Sequence, residues 1–195
     1  MNDYIEIKKS KIHGLGIFAK KEIKKGQILH EGHFFQNSQR IRTPFIGFYN
    51  YSENPNCKIK INQKFSRKHN KNYVCNEVFS LVDIHKNEEL TLKYTWYNPL
   101  KNNSLTNKHW NPLPDFLTIN NHKLISTKKI SSNKIIGVSH HYSELKQEYV
   151  ATPLGGFLCT SKNPNCELIK VIEDKEKVFK LKTLTEIKTN TKIKI

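Results

Sequence analysis

Apolar and polar residues alternate in short runs along most of the chain. Ile5 and Ile7 alternate with charged neighbours, as one face of a half-buried strand does. Leu90, Leu92 and Tyr94 alternate with Thr91 and Lys93 in the same way. Gly26 follows Lys24-Lys25 and precedes Ile28-Leu29, which reads as a turn joining two short apolar segments. Asn54-Pro55-Asn56 reads as another turn. No stretch sustains the period of a long amphipathic helix, and residues 141–150 (HYSELKQEYV) are the one short helix the pattern suggests. The expectation is a mainly β protein of many short strands in small sheets.

The pattern also repeats itself. Residues 43–57 read TPFIGFYNYSENPNC and residues 152–166 read TPLGGFLCTSKNPNC, with nine of fifteen positions identical. The match extends upstream, where 17–29 aligns with 124–136 at an offset of 107 against 109 in the central block. Downstream, 81–92 aligns with 184–195 at an offset of 103. The expectation is a duplication that folds as two similar lobes. Residues 1–100 form the first, 119–195 the second, and the polar, Pro-containing stretch 101–118 links them.

Composition narrows the setting. The net charge of +16 suits nucleic acid, an anionic surface or an acidic protein as partner. The excess is nearly all Lys, since the only arginines are Arg40, Arg42 and Arg67. Asn and Ile are over-used as well, which is the bias an AT-rich coding sequence gives, so the charge by itself does not define a binding face. Apolar runs fall far short of the ~20 residues of a membrane span. The first residues do not resemble a signal peptide, so a cytoplasmic protein without membrane contact is expected. The cysteines Cys57, Cys75, Cys159 and Cys166 lack the spacing of a zinc site. His30, His33, His140 and His141 are commoner as surface or core residues than as ligands, so no metal is expected.

Three elements of the first copy occur in a telling order. Gly14-Leu15-Gly16 follows a strand, Asn50-Tyr51-Ser52 opens the Asn-Pro-Asn-Cys turn, and Glu88-Glu89-Leu90-Thr91-Leu92-Lys93-Tyr94 closes the copy. With KKSKIHGLGIFAKKEIKKG at the front, this order resembles the SET-domain protein-lysine methyltransferases, in particular their small bacterial and viral forms. The resemblance covers residues 4–97 well and 119–195 more faintly.

The resemblance implies a duplicated SET-domain β-clip fold and methyl transfer from S-adenosylmethionine to a lysine amine of a protein substrate. It implies that Gly14, Leu15, Gly16, Asn50 and Tyr51 line the cofactor site. Trp96 or Tyr97 would stack on the adenine, and Tyr94 would be the catalytic tyrosine. Tyr51 stands where the family has His, which a main-chain role tolerates. The chemistry is an in-line displacement at a methyl carbon by a neutral amine, and no metal is needed. A free Lys has a pKa of ~10.4, so an apolar channel must favour the neutral form.

In the second copy, Asn121-His122-Lys123 replaces Gly14-Leu15-Gly16, and Cys159-Thr160-Ser161 replaces Asn50-Tyr51-Ser52. Ile195 aligns with Leu92, so nothing aligns with Tyr94. This lobe is expected to fold without catalysing, and to act as a dimer partner built into the chain. The competing reading is a catalytically inactive SET-like binding module that holds nucleic acid or an acidic protein through its Lys-rich surface.

Overall fold

The structure is a computed structural model that describes residues 3–36, 39–66, 70–94 and 112–195. In β1 (Ile5–Lys9) the side chains of Ile5 and Ile7 are buried and Lys8 and Lys9 are exposed, the alternation seen in the sequence. β1 pairs antiparallel with β2 (Leu15–Ala19), so residues 10–14 form the loop between them. β3 (Ile28–Gln36) and β4 (Gln39–Arg42) form a hairpin that leads into a one-turn helix, Ile46–Phe48. The two-residue β5 (Asn50–Tyr51) follows, then the long hairpin of β6 (Cys57–Ser66) and β7 (Lys71–Ser80), and last β8 (Glu89–Leu92).

These strands make two four-stranded sheets, ordered β1-β2-β8-β5 and β4-β3-β7-β6. β8 runs between β2, its antiparallel neighbour, and β5, its parallel one. Leu90, Thr91 and Leu92 are all buried where simple alternation would expose Thr91, and Asn56 of the Asn-Pro-Asn-Cys turn lies against Thr91.

The remaining elements repeat the series. They are β9 (Leu117–Asn120), β10 (Lys123–Ser126), β11 (Ile135–Ser143), β12 (Glu148–Ala151), a one-turn helix Gly155–Phe157, β13 (Cys166–Glu173) and β14 (Glu176–Thr183). The sheet order β12-β11-β14-β13 matches β4-β3-β7-β6. Single bridges match too: Ile125 with Lys192, Cys159 with Lys194 and Ile130 with Ile187. Their counterparts are Phe18 with Glu89, Asn50 with Thr91 and Ile23 with Ile84. Each pair stands at the offsets of 107, 109 and 103 read from the sequence.

Two expectations are corrected. Residues 141–150 are not helical but form the β11–β12 hairpin, in which Tyr142 and Tyr149 are cross-strand partners with rings 5.1 Å apart. Gln147 turns the chain at φ 51°, a left-handed conformation that a helix does not use. The second half also starts before residue 119: Leu113 and Leu117 are buried, and β9 begins at Leu117 inside the expected linker.

One hydrophobic cluster runs through both halves, from Ile17, Ile84 and Leu90 to Leu124, Ile130 and Ile187. The halves meet where Phe157 packs edge-on against Phe45 and Phe48, at centroid distances of 5.5 and 6.0 Å. Gly156 lies so near Pro44 that a Cβ there would stand 2.4 Å from the proline ring, which explains the glycine. At the hairpin tips the Gln36 amide donates to the Tyr142 carbonyl at 2.8 Å and accepts from the Glu144 N–H at 2.9 Å. Beside it, Lys146 is ion-paired with Glu31. Among the described residues no helix is long and apolar enough to cross a membrane.

Candidate functional site

The site grows from the loop between β1 and β2. Gly14 turns that loop at φ +49°, in the left-handed region that favours glycine. A Cβ on Gly14 would have no heavy atom within 4 Å, so the backbone here is open to approach. Gly16 has the opposite environment: a Cβ there would fall 2.2 Å from the Glu89 carboxylate. The two glycines therefore do different work. One leaves a backbone surface accessible, and the other makes room for an acidic side chain of β8.

Asn50 ties these parts together. Its side chain is buried, and its amide nitrogen donates to Glu89 Oε1 at 2.7 Å, to the His13 carbonyl at 3.2 Å and to the Leu15 carbonyl at 3.3 Å. The two carbonyls flank Gly14, so one side chain fixes both ends of its turn. Ser10 Oγ donates to the other oxygen of Glu89 at 2.9 Å. The Asn50 N–H groups are committed to the loop and to Glu89, which leaves main chain as the surface offered.

Tyr94 reaches the same place from the end of β8. Its hydroxyl donates to the Tyr49 carbonyl at 2.6 Å, the residue immediately before Asn50. The Tyr51 ring stands edge-on to it at 5.3 Å. The Tyr51 hydroxyl donates to Glu53 Oε1 at 2.5 Å, and this bond is the largest cause of the Tyr51 pKa rising to about 12. Lys93 pairs with the other Glu53 oxygen at 2.8 Å. Tyr51 is therefore held neutral, with its ring against Tyr94.

Gly14, Leu15, Gly16, Asn50, Tyr51 and Tyr94 thus lie in one connected cluster. Trp96 and Tyr97 lie outside the described residues. Sequence reasoning did not assign Ser10, Tyr49 or Glu89 to the site, nor His30 behind it. A signal for some of them was present: Glu89 aligns with Lys192, Tyr49 with Leu158 and His30 with Gly137, so each differs between the halves.

The histidines have packing roles. Burial lowers the His30 pKa to about 4 and, with Arg40 and Arg42 nearby, that of His33 to about 3. His141 Nδ1 lies 3.1 Å from the buried Glu176 carboxylate. Among the described residues no group of three or more His, Cys, Asp or Glu is arranged to hold a metal ion.

No protein-family model matches the sequence, and no curated protein matches it. Solved structures give partial likenesses. A candidate histone methyltransferase of Plasmodium falciparum is 22% identical with a TM-score of 0.40, over 50% of this chain and 97% of that one. An inhibitor-bound humanized mutant of the Chaetomium thermophilum Polycomb Repressive Complex 2 is 15% identical with a TM-score of 0.37, over 49% of this chain and 15% of that one. An apo form of that complex with two mutations in Ezh2 has a TM-score of 0.35 at 15% identity, with the same coverage of 49% and 15%.

Proposed function

We propose that residues 3–94 are an S-adenosylmethionine-dependent protein-lysine methyltransferase, and that residues 112–195 are a duplicated copy without the catalytic groups. One observation carries this reading: the Asn50 amide joins the Gly14 loop to Glu89, while the residue before it receives the Tyr94 hydroxyl. Three segments remote in sequence and singled out by their order become one cluster.

The residues suit the cofactor. The open Gly14 backbone and the main chain of Leu15 and Asn50–Tyr51 would hold its amino-acid end. Bound there, S-adenosylmethionine supplies an electrophilic methyl group. Tyr94 Oη and the Tyr49 carbonyl, 2.6 Å apart, form a pair of oxygens able to receive polarised C–H groups through weak hydrogen bonds. The attacking lysine must be neutral, which exclusion of water from the closed site would favour. Fixed rings and a clamped loop contribute by alignment, since no group has to reorganise during transfer.

The differences between the halves support a silent second copy. Positions 14, 16, 50 and 89 carry Gly, Gly, Asn and Glu in the first half and align with Asn121, Lys123, Cys159 and Lys192. The clamp cannot form from Cys159 and Lys192.

Calorimetry of S-adenosylmethionine binding to the full chain tests this reading. Binding is expected, weakened by Asn50→Ala because His13, Leu15 and Glu89 lose their common partner. Tyr94→Phe is expected to keep the cofactor and lose methyl transfer to a lysine peptide. Absence of binding at millimolar cofactor would overturn the proposal.

A further inference from the structure

The Tyr49 side chain belongs to a half-buried polar pair that the chemistry above does not use. His30 Nδ1 is 2.8 Å from the Glu31 carbonyl, which can only accept, so this nitrogen carries the proton. His30 Nε2 is then an acceptor, and the Tyr49 hydroxyl donates to it at 3.0 Å. Tyr49 is almost fully buried. The His30 ring packs against Phe45 at 5.5 Å and against Tyr49 at 5.7 Å. Phe157, from the second half, packs edge-on against Phe45 and Phe48 on the segment leading to Tyr49.

We propose that His30 and Tyr49 are a positioning pair, braced by Phe157, that fixes the Tyr49 carbonyl and through it the Tyr94 hydroxyl. Its catalytic meaning rests on the methyltransferase reading. Its structural content does not. The internal repeat supplies the control. At the position of His30 the second half has Gly137, and at that of Tyr49 it has Leu158. That half nonetheless forms the same sheet order and the same bridges. The fold therefore does not require the pair. Taking a phenol and an imidazole out of water has a desolvation cost, and the first half meets it at the residue whose own carbonyl receives the Tyr94 hydroxyl. Phe157 gives the second half a part in the first half's site without placing any of its atoms there.

The test uses the full chain with tyrosines labelled at 13Cζ, the Tyr94 resonance being assigned by its loss in Tyr94→Phe. Tyr49→Phe is nearly isosteric and removes only the hydroxyl. It and His30→Phe are both expected to move the Tyr94 resonance. His30→Gln keeps an acceptor at the end of the side chain and is expected to leave that resonance near its wild-type position. In transfer assays Tyr49→Phe should lower kcat about tenfold or more, at unchanged affinity for S-adenosylmethionine. A Tyr94 resonance unmoved by both Tyr49→Phe and His30→Phe would overturn the pair. If the wild-type chain binds no cofactor, the methyltransferase reading fails, and the resonance shifts still decide whether the pair positions Tyr94.

Discussion

Several residues identical between the two repeats are residues whose hydrogen bonds recur. Thr43 Oγ1 donates to the carbonyls of Glu31 and Gly32, and Thr152 Oγ1 to those of Val138 and Ser139. Ser52 Oγ accepts from the Asn54 N–H, and Ser161 Oγ from the Asn163 N–H. By contrast, Gly16, Asn50 and Glu89 depend on one another and have no such counterparts. Buried His33 and half-buried His30 give a residue-scale prediction. The pKa of His30 falls from 6.5 to about 4 and that of His33 from 6.5 to about 3, so the unfolded chain protonates first as pH drops. Their contribution to stability is full above pH 6.5 and is lost as the pH falls to about 4 for His30 and to about 3 for His33. The slope there reaches about 1.4 kcal/mol per pH unit for each histidine. Glu31 enters only lower. Burial would raise its pKa, but Lys146, Tyr73 and Lys64 hold it below 4.5. Melting temperatures are expected to fall from pH 7 to pH 5, and less so in His33→Phe. A flat profile in the wild type would contradict this assignment.

At the scale of elements, the Asn-Pro-Asn-Cys turn is a clip on the last strand. Asn56 Oδ1 accepts the Thr91 N–H at 2.8 Å, and its amide donates to the Glu89 carbonyl at 2.8 Å. Asn165 does the same with the Lys194 N–H and the Lys192 carbonyl, both at 2.8 Å. Each side chain pairs one N–H and one carbonyl of the closing segment, between the positions its neighbours bond. Asn56→Ala and Asn165→Ala are each expected to cost about 1–3 kcal/mol, read from denaturant midpoints. Equality of the variants with wild type would show that the turn does not clip. The strands themselves were legible in the sequence: β1 and β8 follow from Ile5, Ile7, Leu90 and Leu92. The β11–β12 hairpin was not, because Ser143-Glu144-Leu145-Lys146 suits a helix locally. The pairing of Tyr142 with Tyr149 and the docking of Gln36 on the tip override that preference.

At the scale of the whole molecule, the halves share one core and are not independent. Separation would expose Phe45, Phe48 and the face of Pro44, and would leave Glu31 without Lys146. Residues 1–100 expressed alone are expected to melt without cooperativity, or far below the full chain, and, under the function proposed above, to lose methyl transfer. A stable and fully active fragment would sink the view that the second half braces the first. The expectation of a partner lobe within one chain arose from the repeat. The brace itself, Phe157 on Phe45 and Phe48, could not be read from it, because the repeat says which segments are alike and nothing about which of them touch.

The sequence by itself determined the strand-rich class, the repeat and the short list Gly14, Gly16, Asn50 and Tyr94. These features reside in periodicity and in residue identity at fixed spacing, and both are local properties. Only the tertiary structure decided what the residues do to one another. It brought Glu89 into the space left by Gly16, turned the Asn50 amide onto the loop, and set the Tyr94 hydroxyl on the Tyr49 carbonyl. It also set His30 against the Tyr49 hydroxyl. Those outcomes depend on β8 passing between β2 and β5, which brings distant segments within hydrogen-bonding range, and no spacing along the chain encodes a distance across it.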